Sequence, residues 1–231
     1  MQSKTHLSDA DHPTIINLVS RLTYGKKSPQ EVVESLFLFV RDQIRFGFPP
    51  VWDEVKASET VYYGLGYCNT KTILMVVLCR AAGIPARVHF GLIDIQIMRG
   101  ILPGFVFPFM PKIGGHSWTE VQLDGEWKLI DSYINDKPFY ERALNRLKAS
   151  GRNIGYSISL EEGESSCEFN FGDKGFVQMD AVRDDHGTWQ DSSDYFATDK
   201  YPRFAAWQKA MLPMILFMSN RNVSRLRQRK L

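Results

Sequence analysis

The chain switches between two hydrophobic periods. Over residues 32–44 the apolar positions Val32, Val33, Leu36, Phe37, Phe39, Val40 and Ile44 recur at near-helical spacing. Ahead of them, Ser28-Pro29-Gln30-Glu31 combines a capping serine, a proline at the first helical position and a glutamate three residues on. A helix is predicted there. A shorter one is predicted from Pro13, with Asp11 as its cap and Ile15, Ile16, Val19 and Leu22 as its apolar stripe. Gly47, Pro49 and Pro50 end the second helix, and an irregular segment carrying Trp52 and Tyr62-Tyr63 leads to Gly64-Leu65-Gly66-Tyr67-Cys68. Past Cys68 the residues Ile73, Leu74, Val76, Val77 and Leu78 are apolar on every side, which predicts a largely buried helix ended by Gly83 and Pro85.

The period then becomes two. Residues 86–93 are rich in β-branched and aromatic side chains, and residues 116–123 alternate polar and apolar. Asp124-Gly125 is a tight-turn pair, after which residues 126–134 return as the partner strand. A two-residue turn pairs Leu123 with Glu126 and, carried outward, sets His116 opposite Tyr133 with Asp131 as its diagonal neighbour on the same face. A helix over 137–150, strand-like stretches at 154–160 and 176–180 and an Asp-rich loop follow. Last comes a helical stripe of Phe204, Trp207, Met211, Ile215 and Met218, kinked at Pro213, with a basic tail behind it.

At 231 residues, 44% hydrophobic and 23% charged, the chain can build a packed core, and a net charge of +2 does not announce a nucleic-acid partner. Three scattered cysteines form neither a disulfide framework nor a zinc signature, so a reducing, cytoplasmic context is expected. Residues 1–11 lack an apolar core and no window is long enough to span a bilayer, so neither a signal peptide nor a membrane span is expected. The acidic cluster Asp184, Asp185, His186, Asp191 and Asp194 fits no metal signature, and no cofactor or metal is expected. The apolar stripe and the basic residues Arg221, Arg225, Arg227, Arg229 and Lys230 are expected to form a docked helix with a solvated tail. Weak association with an anionic membrane surface is the alternative.

Three residues carry candidate chemistry together: Cys68 at a helix N-terminus, His116 on a strand and Asp131 on the next. Alone, Cys68 would read as a small buried hydrophobe and His116 as a core histidine. Together they fit thiol catalysis. The helix dipole and a nearby imidazolium lower a thiol pKa, while a carboxylate fixes the imidazole tautomer. Cys79, inside the apolar helix, is expected to be structural, and Cys167, in a Glu- and Ser-rich stretch, an inert surface thiol. For the oxyanion, the backbone N–H of Cys68 is the first donor, with Gln43 or Trp52 as the second. Trp52, Tyr67, Phe107 and Trp118 are candidate substrate contacts. The apolar stretch 98–111 is either a lid walling the cleft or more core.

Gly66-Tyr67-Cys68, the helix running into Arg80-Ala81-Ala82-Gly83-Ile84-Pro85, then His116-Ser117-Trp118-Thr119-Glu120-Val121 and Trp127-Lys128-Leu129-Ile130-Asp131 together resemble the core of the transglutaminase-like superfamily over roughly residues 30–135. The resemblance implies a papain-like α+β core, with Cys68, His116 and Asp131 as a triad for acyl transfer or amide hydrolysis. It does not imply protein cross-linking. Residues 1–135 are expected to form the catalytic core with N-terminal helices, and 136–231 a C-terminal α/β appendage with a basic tail over 220–231. The expected partner is a peptide or small amide substrate. Hydrolysis through a Cys68 thioester is the leading expectation. The alternatives are transfer to an amine, as in a transglutaminase or an arylamine acetyltransferase-like enzyme, and a non-catalytic binding module.

Overall fold

A computed structural model describes residues 7–160, 164–171 and 176–228. Part of the expected N-terminal polar stretch and the last basic residues, Arg229 and Lys230, lie outside them. In chain order the elements are α1 (Pro13–Thr23), α2 (Pro29–Asp42), β1 (Arg45–Phe46), α3 (Ala57–Tyr63), β2 (Leu65–Gly66), α4 (Cys68–Ala81), β3 (Ala86–Asp94), β4 (Ile113–Leu123), β5 (Glu126–Ile130), α5 (Lys137–Ala149), β6 (Ile154–Gly155), β7 (Ile158–Ser159), β8 (Val182–Trp189), α6 (Ser192–Ala197) and α7 (Ala206–Gln228). The result is an α+β fold. An antiparallel sheet of order β5-β4-β3-β8 packs against α4, which α1, α2 and α3 cover from the other side.

Helix α4 is the central element, with every residue from Asn69 to Cys79 buried. Residues 73–79 are apolar all round, and the polar turn before them, Asn69, Thr70, Lys71 and Thr72, is buried with its side chains hydrogen-bonded. The Asp124-Gly125 turn pairs Leu123 with Glu126 and Thr119 with Ile130, the register expected from the sequence. The partner strand ends earlier than expected, at Ile130. Residues 131–136 turn inward as a fully buried loop, tied to α4 and β4 by the Tyr133 hydroxyl, which bonds Thr72 Oγ1 and Thr119 Oγ1, each at 2.8 Å.

Other departures have physical reasons. His12, not Asp11, caps α1, accepting from the N–H of Thr14 at 3.2 Å. The segment before Gly64 holds a short helix, α3, whose N-terminal N–H of Lys56 is bonded by Glu59. The Asp-rich stretch is strand β8 rather than a loop. As an edge strand it leaves polar side chains exposed while its backbone pairs with β3, so it shows no apolar alternation. Residues 154–160 form only the small β6–β7 hairpin, and 176–180 lead into a 3₁₀ turn instead of a strand. Cys167 is buried, its carbonyl taken by the Arg41 guanidinium at 2.9 Å. Helix α7 runs through Pro213 without a break and docks on a face different from the expected one. Ile215, Leu216, Ser219 and Val223 are inside, while Trp207 is 53% exposed. Arg227, expected in a solvated tail, is instead half-buried in an ion pair with the buried Asp136 at 2.6 Å. Among the described residues no helix is long and apolar enough to cross a membrane.

Candidate active site

The approach to Cys68 is built by close backbone packing. Strands β1 and β2 form a two-residue parallel pair, Arg45 with Leu65 and Phe46 with Gly66, which brings the end of α2 beside the start of α4. Gly66 must lack a side chain there, because a Cβ would stand 2.6 Å from Lys71 Cγ and 2.9 Å from Thr70 Oγ1. The Thr70 hydroxyl accepts from the N–H of Tyr67 at 3.1 Å, which closes the helix start. Cys68 is then the first residue of α4, and its own N–H has no helical acceptor. Lys71, fully buried one turn later, donates to the carbonyls of Ile44 (2.7 Å), Ile134 (2.9 Å) and Arg41 (3.3 Å), fastening α4 to both neighbouring segments.

Cys68 is partly exposed, whereas Cys79 and Cys167 are buried. It opens into a cavity of about 470 Å³ that it lines together with Gly115 and His116 of β4, and its Sγ lies 4.0 Å from the Gly115 carbonyl oxygen. His116 Nε2 lies 3.8 Å from Asp131 Oδ1, both side chains fully buried. Cys68, His116 and Asp131 are thus gathered at one place, although Asp131 arrives on the loop after β5 and not as a strand neighbour. Neither imidazole nitrogen nor either carboxylate oxygen closes a hydrogen bond within the described residues.

The charges on these groups follow from the dryness of the site. Burial, followed by the carboxylates of Asp53 and Asp131, pushes the Cys68 thiol well above its ordinary value, against the pull of the Asn69 and Ser117 N–H groups. This opposes the thiolate that the helix dipole favours. Burial drives His116 down to about 3 and lifts Asp131 to about 7, the latter against the approaching N–H of Gln178. Burial likewise pushes Cys79 up to about 12, in keeping with a structural thiol.

Of the other residues singled out in the sequence, Trp52 and Tyr67 line the cavity. Gln43 does not. It caps the end of α2 on the exposed surface, in a separate groove with Glu31 and Asp42. Phe107 lies in a neighbouring groove under the Arg99 guanidinium, 4.6 Å from its ring centre. Trp118 shares the His116 face of β4, its ring 5.7 Å from the imidazole, but it is buried and stacked on His89 at 4.2 Å and does not line the cavity. The stretch 98–111 divides between both expected roles: Ile101 and Val106 are core, whereas Met98, Leu102 and Phe109 wall the cavity.

Sequence reasoning missed the buried carboxylate beside the cysteine. Asp53 accepts from the Tyr67 and Tyr201 hydroxyls and from Asn69 Nδ2 at 2.9 Å, and Asn69 Oδ1 in turn accepts from Ser117 Oγ at 3.0 Å. This network joins the residues on either side of Cys68 to β4 and to the C-terminal segment. Nothing in the sequence sets Asp53 apart, since Glu54 follows it directly and Lys56 stands close behind. Tyr201, Pro202 and Phe204 cover the cavity from the C-terminal part of the chain.

Fold and site together define an α+β domain in which a cysteine at the start of a buried helix shares a cavity with a histidine of the antiparallel sheet, and an aspartate on the loop after the sheet's edge strand stands behind that histidine. The family model of the transglutaminase-like superfamily matches residues 16–132, half of the chain, and the protein belongs to that superfamily. A candidate cysteine protease from Cytophaga hutchinsonii superposes with a TM-score of 0.51 at 13% identity, over 84% of this chain and 47% of its own, so this chain spans about half of that protein's length. That likeness shows the fold. A candidate protease from Parabacteroides distasonis gives a TM-score of 0.40 at 16% identity, over 55% of this chain and 24% of its own, and carries no argument. No curated protein sequence matches the chain.

Proposed function

We propose that the protein hydrolyses an amide or peptide bond through a thioester on Cys68. The observation that carries this reading is the convergence of Cys68, His116 and Asp131, with the first two facing one cavity and the third 3.8 Å behind the imidazole. In this reading His116, facing the same cavity as Cys68, is the general base. As Sγ forms its bond to the carbonyl carbon, the S–H proton passes to the imidazole, and the oxyanion meets the free N–H of Cys68. The imidazolium, with Asp131 3.8 Å behind it, returns the proton to the leaving amine as the C–N bond breaks. Water attacks the resulting thioester with His116 again as base, releasing the acid and the thiol. An amine seated in the same cleft would resolve the thioester in the same way. The mostly apolar wall, with Ile95, Leu102 and Leu212, supports an apolar acyl group next to the scissile bond.

Incubating the protein with a peptide and amide library, with and without added amines, and reading products by mass spectrometry tests this. Turnover is expected to fall by about a thousand-fold or more in Cys68→Ala and His116→Ala. Turnover retained within a few-fold in Cys68→Ala, or tight ligand binding that is never followed by turnover, would overturn it.

A further inference from the structure

Beside the cysteine cavity lies a second concavity of about 1070 Å³, and its charge is lopsided. Arg99, Lys112, Arg146, Arg183 and Arg225 converge on it from the segment after β3, the start of β4, α5, β8 and α7, against a single carboxylate, Asp94. Asp94 already faces Arg183 at 3.5 Å. The side chains of Lys112, Arg146 and Arg225 have no hydrogen bond or ion pair among the described residues. Concentrating like charges in a concave, low-dielectric cleft focuses a positive field that an anionic guest relieves.

The floor of the groove is built rather than incidental. At the turn of the β6–β7 hairpin, Tyr156 and Ser157 both take left-handed backbone conformations (φ 53° and 66°), which cost non-glycine residues energy. They are held there by N–H bonds to the carbonyls of Arg99 and Ile97, each 2.8 Å. The Tyr156 ring lies so close to Gly100 that a Cβ on that glycine would come within 2.1 Å of it. The groove is also continuous with the site, since Ile95, Leu102, Met110 and Ile113 line both concavities.

We propose that this groove holds an acidic peptide extension of the acyl donor, so that the substrate presents an apolar acyl group to Cys68 and a run of carboxylates to the five cations. The inference rests on the cysteine acyl-transfer reading and supplies its substrate class. The cations line a hollow, not a projecting face, which favours an inserted chain over a lipid surface.

Binding separates this proposal from the catalytic one. In Cys68→Ala, fluorescence anisotropy compares a labelled peptide ending in a run of glutamates with analogues ending in serines or lysines. The glutamate probe is expected to bind about ten-fold or more tighter than the serine probe, with the preference shrinking as salt rises from about 0.05 to 0.3 M. Arg146→Glu/Arg225→Glu, both exposed positions, is expected to abolish the preference. Lys112→Glu is expected to weaken it if the double variant does not fold. Equal affinity for the three probes, or a preference untouched by charge reversal, overturns the groove assignment. So does binding to phosphatidylserine-containing vesicles that charge reversal removes while the peptides are not discriminated. Preferential acidic-peptide binding with no turnover by the wild type would instead sustain the groove and overturn the catalytic reading.

Discussion

Each titratable group of the triad is pushed toward its neutral form by the dry surroundings it shares with the others. His116, driven from 6.5 to about 3, is unprotonated in the fold where the unfolded chain would hold a proton. Its contribution to stability is full above pH 6.5 and is lost as pH falls toward 3. Asp131, raised from 3.8 to about 7, keeps a proton that the unfolded chain would release, so its contribution is full below pH 3.8 and is lost as pH rises through 7. The two slopes oppose each other between these limits and nearly cancel in the wild type. Removing one partner leaves the desolvation of the other in place. His116→Ala is therefore expected to lose stability as pH rises from about 4 to 7, and Asp131→Asn as it falls from about 6.5 to 3, each by a few kcal/mol. Urea unfolding across that range checks the signs, and parallel slopes in the two variants would refute the assignment. That the three residues come together was legible in the sequence, because Cys68 stands at a predicted helix start, His116 at the start of a predicted strand and Asp131 within its hairpin partner. The state of the thiol was not, since the helix dipole is visible in sequence whereas the enclosing residues, Asp53 among them, arrive from elsewhere.

Elements legible in the sequence were those whose signal is local. The Asp124-Gly125 turn sets the β4–β5 register by itself, and α4 announces its burial through residues 73–79, apolar all round. Strand β8 and the docked face of α7 depend on partners far along the chain. The end of α7 is fixed by Asp136, which caps α5 by accepting from Phe139 N–H at 3.2 Å, takes the Phe46 N–H at 2.8 Å and pairs with Arg227. Arg227 also donates to the Phe46 carbonyl at 3.0 Å, so one carboxylate binds the segment before the cavity to two helices. Asp136→Ala leaves a half-buried guanidinium unpaired and a helix uncapped, and is expected to cost about 3–5 kcal/mol. Asp136→Asn/Arg227→Met, which removes both charges, is expected to recover part of that loss. Denaturant unfolding decides it: if the double variant is no more stable than Asp136→Ala, the ion pair is not what holds α7.

On the scale of the whole molecule, the C-terminal part of the chain completes the site. Tyr201 bonds Asp53 beside the cysteine, Asn220 clamps both the N–H and the carbonyl of Phe48 at 2.8 Å, and Asn222 donates to the Ile101 carbonyl at 3.0 Å. Cavity and basic groove are thus bounded by residues of both halves of the sequence. The superfamily resemblance, confined to the first half, could place the cysteine but not the walls around it. Everything proposed for this molecule turns on whether Cys68 becomes acylated. Intact-mass spectrometry after brief mixing with a 4-nitrophenyl acyl ester, followed by peptide mapping, reads this directly. The wild type is expected to carry one acyl group on Cys68, released by hydroxylamine, and His116→Ala to acquire it at least about a hundred-fold more slowly. An acyl group found on Cys79 or Cys167, or one formed at an undiminished rate in Cys68→Ala, would contradict the account.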